Sequence, residues 1–504
     1  MKKIDKLNIK KLNLEKLGIK ELRKLLDKNK VSALELSNFF LDRISKIDDE
    51  LKTCISVFSD EARREAELAD ERIANKEKGD LIGIPYLLKD NILTKGKKTT
   101  AASKMLENYI APYDATIVKK LKEAGAVLLG KTNLDEFAHG ASTENSAFFT
   151  TKNPWDLERV PGGSSGGSAA AVSAGLCVFA LGSDTGGSIR QPASFCGVSG
   201  LKPSYGRVSR FGLMSMTSST DVIGPLAKSA EDCSIILKNI AGEDEYDLTS
   251  SEKKVPKFNL KSKSNLDKLN NLKIAVVKDF LQGVDSDVKN GFLEAVNFFK
   301  KNGAKIIEID LPYNKYSIPA YYIITPSEVS SNLARLDGIR YGHSLDFLPK
   351  GQSEENLNEI YLRNRGEGFG AEAKRRIMLG TYALSSGYFD AYYKKAMAVR
   401  EKIRQEFKEV FKRVDVVMTP TSPHVAFKIG EQVNDPVKMY LEDVFLTGPS
   451  LAGLPSISIP TGFSKGMPFG LQIFADKFQD EFILSLANFY QEKTNFHLQF
   501  PDKL

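Results

Sequence analysis

Two glycine- and serine-rich turns enclose an apolar segment in the first half of the chain. Residues 161–168 read Pro-Gly-Gly-Ser-Ser-Gly-Gly-Ser, and residues 181–192 read Leu-Gly-Ser-Asp-Thr-Gly-Gly-Ser-Ile-Arg-Gln-Pro. Between them, the alanine-rich stretch 168–175 predicts a helix and the apolar stretch 177–181 predicts a buried strand. A flexible glycine-serine linker would not enclose two such elements. The segment is therefore predicted to be a compact folded unit with two turns that allow close backbone approach.

The same alternation of helix and strand continues along the chain. Strands are predicted over 83–89, 126–129, 272–277, 304–309, 416–419, 456–460 and 470–474. Helices are predicted as an amphipathic pair between 17 and 47, near 117–121, over 286–301 and through most of 354–412. This pattern is typical of an α/β fold.

Length and composition favour a folded intracellular enzyme. The chain has 504 residues, of which 42% are hydrophobic and 27% charged, and its net charge is +7. This modest basic excess permits contact with nucleic acid but does not require it. Its four cysteines are widely spaced and form no metal-binding or disulfide pattern, and no apolar run is long enough to span a membrane. We therefore expect reduced thiols, no bound metal and a cytoplasmic location.

Two short motifs suggest activities that their context opposes. Residues 125–132 match the phosphate-binding P-loop pattern, but the residues between the glycines form an apolar strand rather than a loop. Residues 162–166 match the nucleophile-elbow pattern of α/β-hydrolases, which also requires an acid and a histidine further along. His343, His424 and His497 are available, but none lies in a distinctive motif.

Ser188, which closes the second glycine-rich turn, is a candidate nucleophile. The backbone amides of Thr185, Gly186, Gly187 and Ser188 could converge on a developing oxyanion. A serine hydroxyl needs a base, and in the absence of a histidine motif the base would be a lysine whose pKa is lowered by burial. Lys89, at the end of an apolar strand, meets this requirement, although the residues alone also allow an ordinary surface lysine.

At these residues the chain resembles the amidase signature family. The resemblance covers residues 89–91, 162–170, 183–200 and 201–207. It implies an α/β fold in which a mixed central β-sheet is flanked by helices on both faces. It also implies a catalytic triad in which Ser188 attacks the substrate and Lys89 serves as base and then acid. Ser164, whose peptide bond is cis, relays the proton between them.

Outside the signature, the chain resembles the branch of this family that hydrolyses glutamine for tRNA-dependent amidotransferases. The supporting residues lie at 205–212, 337–342 and 367–380, and the overall resemblance runs from about residue 18 to 490. It implies a glutamyl ester on Ser188 and transfer of ammonia to a partner subunit. That partner would use ATP and Mg²⁺ to convert mischarged Glu-tRNA or Asp-tRNA to Gln-tRNA or Asn-tRNA. The expected assembly is a heterotrimer with subunits B and C, and this chain is expected to need no cofactor.

Glutamine has an α-amino and an α-carboxylate group, so its pocket should contain an anionic and a cationic side chain. Asp443 and Arg376 are the candidates for these positions, and Tyr322 is a third candidate. Each has an alternative interpretation, because Arg376 and Asp443 could instead form helix salt bridges. Arg375 and Tyr321 are adjacent to Arg376 and Tyr322 and could replace them.

The predicted organisation is a single large amidase domain over 1–504. It comprises an amino-terminal helical flank over 1–50, a signature core over about 80–230, a polar surface excursion over 245–271 and a second α/β portion over 272–504. Residues 343–356 form another expected excursion. Two other functions stay open, namely a stand-alone hydrolase of small amides and a non-catalytic scaffold. The presence of Lys89, Ser164 and Ser188 opposes the scaffold.

Overall fold

A computed structural model describes residues 12–258, 260, 269–340, 342–344, 356–433 and 435–501. Eleven strands belong to one sheet. In chain order they are β1 (Cys54–Val57), β2 (Pro85–Lys89), β3 (Val127–Thr132), β4 (Phe179–Asp184), β5 (Ser199–Lys202), β6 (Val222–Ala227), β7 (Lys273–Val277), β8 (Lys305–Ile309), β9 (Val416–Pro420), β10 (Ser456–Ser464) and β11 (Met467–Phe474).

The sheet is mixed, with strand order β1-β3-β2-β4-β6-β5-β10-β11-β9-β7-β8. Strands β3, β2 and β4 run parallel to one another, as do β9, β7 and β8. The remaining neighbours are antiparallel. Because β2, β3 and β4 are parallel, their carboxyl ends meet at one edge, which is where α/β proteins commonly bind ligands.

Helices cover both faces of the sheet. The α-helices are Ile19–Asp27, Ala33–Leu51, Ser59–Ala74, Thr116–Glu123, Gly166–Ser173, Arg190–Cys196, Ala230–Ile240, Ser286–Lys301, Ser317–Asn332, Leu357–Gly368, Ala371–Leu384, Lys395–Val410, Pro436–Leu441, Thr447–Leu451 and Asp480–Glu492. Successive residues of β7 show the two faces, since Ile274 packs in the larger hydrophobic core and Ala275 in a second core. The predicted α/β fold with a mixed, doubly covered sheet is confirmed.

Most strongly patterned segments have the predicted structure. The helix over 286–301 and the strands at 83–89, 272–277 and 304–309 agree to within two residues at each end. The P-loop-like stretch contains β3, so the prediction of a strand there is confirmed. Strand β3 also buries Lys131, whose ammonium pairs with Asp90 at 3.0 Å and donates to the Ile92 carbonyl. Lys131 is thus occupied by internal contacts.

Both predicted excursions lie partly outside the described residues. Of the first, residues 259 and 261–268 are not described, while Phe258 and Leu260 are buried against the main core. Of the second, residues 345–355 are not described. Among the helices that the structure describes, none is both long and apolar enough to cross a bilayer.

Candidate active site

The carboxyl ends of β2 and β4 place two polar side chains together. Lys89 is the last residue of β2, and Ser183 is the penultimate residue of β4. The strands are in parallel register with Leu88 opposite Leu181, which brings Lys89 alongside the end of β4. The helix Gly166–Ser173 begins directly after Ser164 and Ser165, so the first glycine-rich turn lies at the same edge. Strand ends and a helix start therefore build one site.

Lys89 is fully buried among hydroxyl groups. Its Nζ lies 2.7 Å from Ser164 Oγ, 2.9 Å from Ser165 Oγ and 2.9 Å from Ser183 Oγ. Among the described residues, no carboxylate lies within ion-pair distance of this nitrogen. A buried ammonium without a counter-ion is costly, so this environment favours the neutral amine.

The pKa of Lys89 is lowered to about 7. Burial is the main cause, and the more distant carboxylates of Asp135, Asp184 and Asp221 oppose it. The neutral form is therefore available at neutral pH, where an ordinary lysine would be protonated. A neutral amine 2.7 Å from Ser164 Oγ can accept a proton from that hydroxyl.

The two glycine-rich turns are bonded to each other. The Ser165 amide donates to the Ser188 carbonyl at 3.0 Å, and the Gly163–Ser164 peptide bond is cis, as the family resemblance implies. Gln191 bridges the same region, because its Oε1 accepts from the Gly163 amide at 2.9 Å. Ser188 is 7% exposed, so it lies at the bottom of the site with limited access to solvent.

A buried ion pair fixes the turn that carries Ser188. The Asp184 carboxylate pairs with the Arg190 guanidinium through Nη2 at 2.9 Å and Nε at 3.0 Å. Asp184 Oδ2 also accepts from the Ile189 amide at 3.1 Å. These contacts join the residues before and after the glycines, so the turn is held at both ends. The hydroxyl of Thr185, the first residue of the turn, also donates to Asp221 Oδ1 at 2.7 Å.

The backbone amides of the second turn are available to a ligand. Within the part of the chain that the structure describes, the N–H groups of Thr185, Gly186, Gly187 and Ser188 donate to no protein acceptor. Free, fixed amides beside a nucleophile are the usual means of stabilising an oxyanion. The arrangement is suited to the predicted role of these residues.

Arg376 and Tyr322 line one cavity, and Asp443 contacts Tyr322 behind it. The Tyr322 hydroxyl donates to Asp443 Oδ2 at 3.2 Å, and the Arg376 guanidinium lies 5.6 Å from the centre of the Tyr322 ring. Arg376 is buried and pairs with Glu372 at 2.8 Å, whereas Arg375 is 41% exposed on its side chain. Both arginines line the cavity, but only Arg376 is buried, and its Nη1 has no hydrogen-bond partner among the described residues, so the geometry favours Arg376 as the residue that meets a ligand.

Asp443 and Tyr321 connect this group to the Ser188 turn. A β-carbon at Gly187 would lie 2.8 Å from Asp443 Oδ1, and one at Gly186 would lie 2.6 Å from the Tyr321 ring. Asp443 and Tyr321 therefore contact the glycines, which explains why no larger residue fits there. Burial raises the pKa of Asp443 to about 7, and the nearby Asp184 adds to this effect. Both tyrosines line the site, but only Tyr322 contacts Asp443 by a hydrogen bond.

Several contributors were not identified from the sequence. Ser165 and Ser183 share the Lys89 amine, and Asn91 donates to Ser183 Oγ at 3.0 Å. Asp184 and Arg190 lie within residues 181–192, and their opposite charges on either side of the glycines indicate an ion pair across the turn. Ser165 and Ser183 carried no such signal, because isolated serines in glycine-rich turns are common.

Residues 35–484 match the protein family described as Amidase. The chain is 53% identical over 480 residues to the A subunit of Glutamyl-tRNA(Gln) amidotransferase from Thermoanaerobacter pseudethanolicus, covering 95% of this chain and 96% of the relative. It is 50% identical to the protein of the same name from Persephonella marina, covering 96% and 98%.

Solved structures show the same fold. The A subunit of Glutamyl-tRNA(Gln) amidotransferase from Thermotoga maritima aligns with a TM-score of 0.79 and 43% identity, covering 97% of this chain and 98% of that one. A peptide amidase from Stenotrophomonas maltophilia aligns with a TM-score of 0.78 and 27% identity, covering 95% and 97%. Both alignments extend over nearly the entire chain.

The site predicts how the reactivity of Ser188 depends on pH. We expect a sulfonyl fluoride to label Ser188 at a rate that rises with pH through a midpoint at about 7, where Lys89 loses its proton. Below the midpoint, the rate should fall about tenfold per pH unit, because only the neutral amine can accept the proton. Mass spectrometry of the labelled peptide measures this, with Ser188→Ala as the unlabelled control. A rate independent of pH between 6 and 8 would contradict the role of Lys89.

Proposed function

The chain belongs to the amidase family, and we propose from this premise that it is the glutamine-hydrolysing subunit of a glutamyl-tRNA(Gln) amidotransferase. It releases ammonia from glutamine and supplies it for conversion of Glu-tRNA(Gln) to Gln-tRNA(Gln). Relatives that are about 50% identical over nearly the full chain carry this name. The same chemistry on Asp-tRNA(Asn) would give Asn-tRNA(Asn).

The observation that carries this proposal is the continuity of two arrangements in one site. One is the contact of 2.7 Å between Lys89 Nζ and Ser164 Oγ beside the Ser188 turn. The other is the group of Arg376, Tyr322 and Asp443, which reaches Gly187. Glutamine has a side-chain carboxamide at one end and both an ammonium and a carboxylate at the other. Glutamine therefore matches both ends of the site.

The reaction begins with attack of Ser188 Oγ on the carboxamide carbon of glutamine. The Ser188 proton passes to Ser164 Oγ as the Ser164 proton passes to the neutral Lys89 amine. The amides of residues 185–188 would then stabilise the oxyanion. When the tetrahedral intermediate collapses, Lys89 returns the proton to the leaving nitrogen, and ammonia departs. Water hydrolyses the glutamyl ester by the same relay and releases glutamate.

Asp443 and Arg376 hold the amino acid end of glutamine. Burial lowers the pKa of Arg376, but the adjacent Glu372 carboxylate raises it above its usual value, so the guanidinium stays charged. It can pair with the α-carboxylate. A bound ammonium group would lower the raised pKa of Asp443 and favour its ionised form. Substrate binding and ionisation of Asp443 are therefore coupled.

A subunit that only releases ammonia requires a partner to use it. The expected partners are subunits B and C in a heterotrimer, with ATP and Mg²⁺ used by the subunit that activates the mischarged tRNA in the cytoplasm. In this proposal the present chain itself binds no cofactor. Its acid–base chemistry uses only Lys89, Ser164 and Ser188.

Replacing Ser188 should affect the use of glutamine as the nitrogen source but not the use of free ammonia. In the assembled complex, Ser188→Ala should lower glutamine-dependent transamidation by roughly 10⁴-fold or more, as expected when a nucleophile is lost. Activity supported by added ammonium chloride should stay near the wild-type level, because free ammonia bypasses the ester. Transamidation of mischarged tRNA measures both. Loss of both activities would instead indicate a structural role for Ser188.

Two adjacent arginines provide a matched pair of variants for the substrate pocket. Arg376→Gln should raise KM for glutamine roughly 10- to 150-fold, because a hydrogen bond to a charged group contributes about 1.5–3 kcal/mol. Arg375→Gln should change KM less than about threefold, since Arg375, which also lines the cavity, has a 41% exposed side chain whose charge is screened by solvent. Steady-state glutaminase kinetics measure both. Equal effects would contradict the assignment of Arg376.

The competing function, a stand-alone hydrolase of small amides, makes a different prediction for the isolated chain. It requires efficient hydrolysis of aryl or fatty amides and poor hydrolysis of glutamine. The charged Arg376–Glu372 pair at the cavity opposes an apolar substrate.

A further inference from the structure

One wall of the glutamine pocket is a short segment with little hydrophobic packing of its own. The helix Pro436–Leu441 contains no buried residue, and only Met439 contacts a hydrophobic cluster, from its edge. Tyr440 and Asp443 nevertheless hold fixed positions in the pocket. Tyr440 stacks on Tyr322 with ring centres 3.8 Å apart. Elements with few buried contacts move easily, so polar contacts help to hold this segment, one of them from the Tyr440 hydroxyl to Glu372 Oε1 at 3.3 Å.

Glu442 lies between these two pocket residues and is almost completely buried, at 2% side-chain exposure. Its Oε1 interacts with His424 Nε2 at 2.9 Å and accepts from Gln432 Nε2 at 2.9 Å. It is thus the first strongly buried side chain after the exposed helix. We refer to Glu442, His424 and Gln432 as the Glu442 cluster.

The Glu442 cluster joins this weakly packed segment to rigid structure. His424 follows β9 by four residues, and its Nδ1 lies 2.9 Å from the Val425 carbonyl. Its ring lies 6.2 Å from Phe195 and 6.2 Å from Phe427, in the cluster beside the signature core. The ring position is therefore fixed by packing, and the hydrogen bond transmits that position to Glu442.

Gln432 brings the cluster to the cavity itself. It lines the same cavity as Arg376, Tyr322 and Tyr440. Its Nε2 donates to Glu442, so the side chain bridges the cavity wall and the buried carboxylate. The His424 pKa is raised, because the Glu442 contact outweighs the lowering effect of burial. Glu442 Oε1 is thus contacted by both His424 Nε2 and Gln432 Nε2.

We propose that Glu442, held by His424 and Gln432, is a positioning residue that sets Tyr440 and Asp443 for glutamine. The inference rests on the proposed function of the pocket. A buried carboxylate that loses a donor moves toward water, because leaving it unsatisfied is costly. Movement of Glu442 would displace its neighbour Asp443 from Gly187 and Tyr440 from Tyr322. Binding of glutamine would weaken, while the Lys89–Ser164–Ser188 relay would be unchanged.

Two substitutions of His424 separate its donor from its ring. His424→Gln keeps a side-chain N–H that can reach Glu442, whereas His424→Phe keeps a packed ring but has no donor. We expect His424→Phe to weaken glutamine binding about tenfold and His424→Gln to stay within about twofold of wild type. Lys438→Ala, at an exposed position of the same helix, is the control and should have no effect.

Binding is measured by calorimetry with glutamine on full-length chains that also carry Ser188→Ala, which prevents turnover. The kcat at saturating glutamine and the rate of Ser188 labelling, both in chains that retain Ser188, should be unchanged in His424→Phe. Equal Kd values for His424→Phe and wild type would overturn the positioning role. A fall in kcat with unchanged Kd would also overturn it. Absence of glutamine binding in the Ser188→Ala chain itself would instead contradict the proposed function.

A second variant covers the case in which His424→Phe does not fold, as judged by its thermal unfolding midpoint. Glu442→Gln removes the carboxylate from the other side and should also weaken glutamine binding. Combined with His424→Leu, which also lacks a donor, it should weaken binding no more than the stronger single variant, because both act through one contact. Independent, additive effects would contradict a shared cluster.

Discussion

The chemistry proposed for this protein depends on a lysine amine that is buried among hydroxyl groups and not among carboxylates. Three serine hydroxyls lie within 2.9 Å of Lys89 Nζ, while the acids that influence it are further away. If one of these acids paired directly with Lys89, the ammonium would be stabilised and could not act as a base. The site therefore satisfies the hydrogen-bonding capacity of the amine without fixing its charge.

The fold supplies this environment through the parallel strands β2 and β4 and the helix start beside them. The strand ends converge on Lys89 and Ser183, and the first glycine-rich turn brings Ser164 and Ser165 above them. The Asp184–Arg190 pair is fully buried and holds the second turn. Removing either partner of such a pair typically costs about 3–5 kcal/mol, because it leaves a buried charge. Asp184, the acid nearest this turn, is thus engaged in structure and does not pair with Lys89.

Local sequence patterns were sufficient for the α/β class, whereas the choice of Lys89, Ser164 and Ser188 also needed the family resemblance. The helix over 286–301 and strands such as β7 have strong periodicity, which reflects burial on one or both faces. In contrast, β5 and β6 include glycine and proline within short strands, so their pairing is determined by distant neighbours. Lys89 could be singled out because a charge ended an apolar strand.

The remaining parts of the site are determined by tertiary contacts that a single sequence does not reveal. Choosing Arg376 over Arg375, or Tyr322 over Tyr321, depends on which side of a helix faces the cavity. The Glu442 cluster joins residues 424, 432 and 442, and its importance follows from burial. Asp443 and Tyr321 contact the glycine-rich turn at Gly187 and Gly186, so the proposed pocket and the proposed relay meet there.

The central claim is that Lys89 is neutral at physiological pH, and its titration tests that claim directly. Nitrogen-15 NMR of protein labelled at lysine Nζ, with the signal assigned by its loss in Lys89→Met, gives the pKa of this amine. A midpoint near 7 is the result that the structure predicts. A midpoint near the ordinary lysine value of 10.5 would contradict the proposed base and the proton relay built on it.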